Sequence, residues 1–177
     1  MIEFQAFASG SSGNLYTLTD GKSTLLLECG LPFKEMQRAT SFMVSEMAGC
    51  LLTHTHKDHS KSVVDVMRAG VDVYTSQGTI GALGLSGHRI HAVEAGRQFR
   101  VGAWHIVPLE AQHDAPEPLA FLIANDRGEK CLFATDTYYL KNRFVGLNLI
   151  AIECNYAQDI LAANVESGAV PAAMKDR

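Results

Sequence analysis

Nowhere in these 177 residues does an apolar run approach the roughly 20 residues that a membrane-crossing helix requires. The N-terminal stretch MIEFQAFASG lacks a basic segment followed by a long apolar run, so a signal peptide is not expected and the chain reads as cytoplasmic, with no membrane partner. Paired cysteines are missing as well. Cys29, Cys50, Cys131 and Cys154 are widely spaced with no CxxC pair, which argues against a dense secreted framework and leaves each as an expected reduced, buried thiol. Nor is there an excess of positive charge: the formal net charge of -4 excludes a broadly basic surface that would drive non-specific nucleic-acid binding, leaving only a local patch for that purpose. Repeats, low-complexity tracts and Pro/Ser-rich linkers are also lacking, so residues 1–177 are expected to form one domain.

What is present suits a folded chain. Hydrophobic residues at 47% against 19% charged give a globular balance with enough apolar surface for a core. IEFQAFA, NLYTLT and STLLLEC, separated by the turns SGSSG and DGK, read as a β-meander. Pro32 can open a brief helix from Phe33 to about Arg38, and MAGCLLT follows as a short apolar strand. HSKSVVDVMRAG carries Val63, Val64 and Met67 at helical spacing and stops at Gly70. VDVYTS, HRIHAV, RQFRV and WHIVPLEA read as strands, with TIGALGL as a short helix among them. LAFLIAND and EKCLFATD flank the turn DRGE as a hairpin, NLIAIEC is a late strand, and AQDILAANVES a final helix. Strands dominate, with helices interspersed, so two sheet layers covered by helices fit this order better than a simple alternating βαβ sheet.

The chemistry concentrates at LLTHTHKDHSKSV, where His54, His56, Asp58 and His59 fall within six residues after an apolar strand. Zinc takes about four ligands from His, Cys and carboxylates, and a catalytic ion keeps one position open for water. Two histidines one residue apart in an extended turn can point the same way, so His54 and His56 can share an ion. A structural zinc knot is disfavoured because no cysteine lies near the motif in sequence. His113 and Asp136 both follow apolar strands, which places them at strand ends, where sites of α/β proteins are commonly built.

HTHKDH resembles the HxHxDH signature of the metallo-β-lactamase superfamily, and SGSSGN, LLLECG, QHDAPEP and FATDT fall in that superfamily's order and approximate spacing. FASGSSGN, LLTHTHKDH and HDAPEP are similar to the YycJ-like branch of DNA exonucleases in particular. The resemblance implies an αββα sandwich of the α/β class. It implies that His54, His56 and His113 bind a first metal, that Asp58 and His59 bind a second, and that Asp136 bridges both. His88, His91 and His105 match no motif position and are expected to be structural or surface residues. Glu28 stands where relatives carry an aspartate that braces the histidine loop, Ser62 stands in place of a glycine, and Tyr156 stands where relatives often have histidine. Relatives complete the second site with a late histidine, yet no histidine follows His113 here. The sandwich is therefore expected to be C-terminally short, with the first site filling more tightly than the second.

The implied reaction is hydrolysis, because a bound cation lowers the pKa of its water and no activated side-chain nucleophile is needed. Zn²⁺ is the expected cofactor, as one or two ions, with Mn²⁺ or Fe²⁺ as substitutes, and Asp58 is the expected proton acceptor. Ser11, Ser12 and Asn14, in a turn whose backbone N–H groups can face an anion, and Lys57, with Lys61 nearby, are the expected substrate contacts. Nucleic acid, most of all DNA, is the expected substrate. Small phosphodiesters or thioesters, or metal binding without turnover, are the alternatives.

Overall fold

The computed structural model describes residues 1–153 and 166–168, and among them no helix is long and apolar enough to cross a membrane. The three early runs form strands β1 (Glu3–Ala8), β2 (Leu15–Thr19) and β3 (Thr24–Leu27), joined antiparallel as a meander. After helix α1 (Phe33–Ala39) the sheet continues with strand β4 (Gly49–Leu51). Helices α2 (Lys57–Ser60) and α3 (Val63–Arg68) lead to β5 (Val73–Thr75), and α4 (Gln77–Leu83) leads to β6 (Ile90–Ala92). From β3 to β6 the pairing is parallel, so the first sheet is mixed: a meander on one side and strand–helix–strand units on the other. Helices separate the parallel strands because a parallel return needs a long crossover.

The second sheet comprises β7 (Phe99–Val101), β8 (Trp104–Glu110), β9 (Leu119–Ala124), β10 (Lys130–Ala134) and β11 (Leu149–Ile152). Its order is β11-β10-β9-β8-β7, antiparallel except where β11 runs parallel to β10. The described part of the fold is thus two sheets with helices, the expected α/β sandwich. The expected final helix AQDILAANVES lies almost wholly outside the described residues.

Strand periodicity explains the layers. In β3, Leu25 and Leu27 face the space between the sheets with Trp104, Ile106, Phe121 and Phe133, while Leu26 faces the other way. A strand covered on both faces reads as a continuous apolar run, which is what TLLLEC shows. Leu26, Cys50, Leu52 and Val73 cover the outer face of the first sheet and meet Met36, Val63 and Val66 from α1 and α3. Beyond the second sheet, Leu109, Ala120, Leu132 and Ala134 pack under Leu140, Phe144 and Leu147 of the segment between β10 and β11.

The single helix expected over HSKSVVDVMRAG is instead two pieces. Ser62 causes the break, since its N–H donates to Cys29 O at 2.9 Å and its hydroxyl donates to Leu31 O at 2.6 Å, drawing the chain toward the end of β3. The histidine loop is pinned from the same side: Asn14 N–H donates to Asp58 O at 2.7 Å, and Cys29 N–H donates to His59 O at 2.8 Å. Gly30 makes this approach feasible, because a Cβ there would stand 1.6 Å from Asp58 O and 2.8 Å from Asn14 N. Gly30→Ala is expected to force the histidine loop outward and to destabilise the fold by about 1–3 kcal/mol or more. An unchanged urea midpoint for that variant would contradict the packing described.

Candidate metal centre

The site gathers at the ends of strands from both sheets. Glu28 follows β3, and Thr53 through His59 follow β4. His113 follows β8, Thr135 and Asp136 follow β10, and Glu153 follows β11. Backbone strain accompanies this convergence: Glu28 (φ 63°) and Asp136 (φ 47°) both adopt left-handed conformations that non-glycine residues seldom take. Each turns sharply out of its strand and carries its side chain into the same space.

Four donors face one another. His54 Nε2 lies 3.1 Å from His56 Nδ1, which in turn lies 3.0 Å from His113 Nε2. Asp136 Oδ2 lies 3.4 Å from His54 Nε2 and 3.6 Å from His113 Nε2. Ring nitrogens cannot crowd their lone pairs together without a proton or cation among them, so this donor set could hold a metal ion. Burial, and then neighbouring His54, push the His113 pKa down, which favours the neutral imidazole that ligates metals. Hydrogen bonds from His54 and His59 hold the Asp136 carboxyl well below the usual range, so it stays ionised.

A second group adjoins the first: His59, Asp136 and Glu153 offer donor atoms all within 4.8 Å of one another, and Asp136 belongs to both groups. His59 Nε2 is 3.0 Å from Asp136 Oδ2, while its Nδ1 is 3.3 Å from Glu28 Oε1. Glu28 is fully buried. Its carboxyl also accepts from Thr53 N–H at 3.3 Å, from the Thr53 hydroxyl, and from the Thr135 hydroxyl at 3.2 Å. Thr53 Oγ1 stands 2.8 Å from His54 Nδ1, so one carboxylate orients His59 directly and His54 through a hydroxyl. Burial opposes charge on His59, but the Glu28 and Asp136 carboxylates prevail and lift its pKa to about 10.

Of the residues expected from the sequence, His54, His56, His113 and Asp136 come together, and His59 stands beside them with Asp136. Asp58 differs in its surroundings. Its Oδ2 is 3.6 Å from His59 Nε2 and its side chain is 31% exposed, and it enters neither tight group. Asn14, expected to face a substrate, is buried, with its amide nitrogen 3.0 Å from His59 Nε2 and its carbonyl accepting from Gly10 N–H and the Tyr16 hydroxyl. That position braces His59. Ser11, Ser12 and Lys57 are exposed. Glu28 does stand behind the histidine loop, its extra methylene notwithstanding. Tyr156 lies outside the described residues. His105 pairs with Asp126 at 2.9 Å and His91 stacks on Tyr74, both apart from the site. Sequence reasoning missed Glu153, although it follows the apolar strand NLIAI as Asp136 follows CLFAT, and the same strand-end rule would have found it.

A two-sheet sandwich with a histidine and carboxylate cradle at its strand ends defines a class of metal-binding folds. The chain belongs to the beta-lactamase superfamily, whose family profile matches residues 24–168. It is 29% identical to a protein named exodeoxyribonuclease YycJ of Bacillus anthracis, covering 90% of this chain and 65% of that protein. Exodeoxyribonuclease WalJ of Streptococcus pneumoniae matches at the same 29%, with 90% and 65% covered, so the chain spans about two thirds of these relatives' length. Among solved structures, the metallo-beta-lactamase SMB-1 superposes with a TM-score of 0.64 at 13% identity, covering 93% of this chain and 83% of that one. The metallo-beta-lactamase fold protein YhfI of Bacillus subtilis gives 0.60 at 17% identity, covering 74% and 60%. At these identities the superpositions speak to the fold alone.

The raised His59 pKa carries a sign that can be checked in metal-free protein. A group shifted up from 6.5 to about 10 contributes stability that is full below about pH 6.5 and is lost as pH rises through about 10. His59→Gln is therefore expected to cost most stability near pH 6, with the gap from the native chain narrowing toward about pH 10.5. Urea unfolding with a chelator present measures it. A gap that widens with pH would contradict the assignment.

Proposed function

We propose that this chain is the metal-dependent hydrolase domain of a phosphodiesterase that shortens DNA. The observation that carries this reading is the convergence of His54, His56, His113 and Asp136 within donor distance of one another. Nitrogen-rich donors joined by a carboxylate suit Zn²⁺, with Mn²⁺ or Fe²⁺ as substitutes. When bound, the cation supplies a water that loses its proton near neutral pH and a Lewis acid for a phosphoryl oxygen.

The chain's own residues do the rest. Glu28, acting directly on His59 and through Thr53 on His54, fixes the ring orientations so that the donor nitrogens face inward. Asp58, partly exposed beside His59, orients the attacking water and accepts its proton. Lys57, Ser11 and Ser12, all exposed, contact the phosphate backbone. Two observations favour a nucleic acid over a small ester. The relatives are named exodeoxyribonucleases, and an exposed aromatic residue stands beside the donors: Tyr138, whose ring centroid is 6.2 Å from that of His113. Exposed aromatic faces stack unpaired bases. The buried, unpaired thiols of Cys29, Cys50 and Cys131 suit a cytoplasmic setting.

Incubation with end-labelled single-stranded DNA and Mn²⁺ or Zn²⁺ tests the reading. The expected result is shortening of the strand that a chelator abolishes and that His113→Ala reduces at least about a hundredfold. Absence of chelator-sensitive shortening, alongside turnover of a chromogenic phosphodiester or thioester, would transfer the chemistry to a small substrate.

A further inference from the structure

We propose that Glu117 is the residue that positions His113: its carboxylate anchors the loop between β8 and β9 to helix α4 and so sets the third imidazole opposite His54 and His56. The proposal rests on reading the cluster as a metal centre and names what holds one of its donors in place.

His113 sits in the loop that joins β8 to β9, and backbone contacts close the base of that loop. Ala111 N–H donates to Pro118 O at 3.1 Å, Leu119 N–H donates to Thr53 O at 2.9 Å, and Gln112 N–H donates to the Thr137 hydroxyl at 2.9 Å. These bonds secure where the loop leaves and rejoins the second sheet. Its far side meets the first sheet's helix α4, where Glu117 Oε2 accepts from Gly78 N–H at 2.6 Å and Pro116 O accepts from the Thr79 hydroxyl at 3.5 Å.

Three features mark the Glu117 contact as serving the loop rather than the helix. First, α4 has a cap of its own, since the Ser76 hydroxyl accepts from Thr79 N–H at 3.1 Å. Second, the approach depends on Gly78: a Cβ there would stand 2.7 Å from Glu117 Cβ and 3.2 Å from the Pro116 carbonyl carbon, so the loop reaches the helix only because position 78 carries no side chain. Third, Glu117 has a φ of 48°, a left-handed conformation that non-glycine residues seldom take, and it stands between Pro116 and Pro118, which restrict the backbone on either side. Strained backbone persists where the surrounding structure holds it, and a carboxylate accepting from a backbone N–H at a helix start is a strong bond for that purpose. The consequence falls on His113, four residues earlier, whose Nε2 is 3.0 Å from His56 Nδ1 and 3.6 Å from Asp136 Oδ2. Releasing the loop would withdraw that imidazole while His54 and His56, beyond β4, and Asp136, beyond β10, keep their places.

Zinc affinity measured by competition with a chromogenic chelator, on chains whose folding is checked by urea unfolding, is the test. Glu117→Ala is expected to weaken zinc binding by about tenfold or more, whereas Glu117→Gln, whose amide oxygen still accepts from Gly78 N–H, should stay within about threefold of the native chain. Gly78→Ala separates the tether from helix stability, because alanine favours a helix over glycine yet pushes Glu117 away, and it should weaken zinc binding as Glu117→Ala does. A readout without metal is the nuclear Overhauser contact between the His56 and His113 rings, whose centroids stand 4.8 Å apart: it is expected in the native chain and in Glu117→Gln and is expected to be lost in Glu117→Ala. A lowered urea midpoint in Glu117→Ala with native zinc affinity would reduce Glu117 to a structural residue and overturn the proposal. So would equal losses in the Gln and Ala variants, native zinc binding by Gly78→Ala, or a ring contact that is absent from the native chain or survives Glu117→Ala. A native chain that holds no zinc would remove the metal-centre reading, and the ring contact would then decide the tether by itself.

Discussion

The buried carboxylate of Glu28 is the constraint on which the rest of this site depends. A fully buried acidic side chain is unfavourable unless its oxygens are satisfied, and here Thr53 and Thr135 donate to them from two separate segments, with His59 Nδ1 3.3 Å away. Thr53 and Thr135 lie just past the ends of β4 and β10, one in each sheet. One group therefore ties the sheets together where the donors emerge and also sets a carboxylate 3.3 Å from His59 Nδ1. Without that tie, nothing described would hold three imidazoles so close that their nitrogens stand 3.0–3.1 Å apart.

Function follows from this frame because ligation needs orientation more than it needs any particular fold. Left-handed backbone at Glu28 and Asp136 is strain that the surrounding pairing sustains, and in both cases the strained residue carries a carboxyl group of the site. Gly30 serves the same end by its lack of a side chain, allowing the turn after β3 to approach the carbonyl of Asp58. The histidine loop is thus held by backbone contacts beneath it and by Glu28 behind it, while His56 and Asp58 remain open toward solvent.

Much of this was legible in the sequence. Alternating and continuous apolar runs gave the strands, and HTHKDH announced the donors because so dense a group of ligand-type residues after an apolar strand has few other physical uses. Other features were hidden for specific reasons. The break between α2 and α3 arises from Ser62 bonding to Cys29 and Leu31, contacts about thirty residues away that helical periodicity does not register. Asn14 looked like a turn residue free to meet a ligand, and only the folding of β2 against the histidine loop turns its amide toward His59. Glu153 stood in plain sight at a strand end, but its partnership with Asp136 depends on β11 pairing parallel to β10, which local pattern does not determine.

The central claim is that side chains distant in sequence converge to bind a divalent cation through imidazole nitrogen. X-ray absorption spectroscopy on the zinc-loaded chain at one equivalent tests it most directly. The account predicts a first shell of nitrogen and oxygen at about 2.0–2.1 Å with the outer-shell scattering of several imidazoles. A chain that retains no zinc after desalting, or a first shell dominated by sulfur at about 2.3 Å, would contradict it.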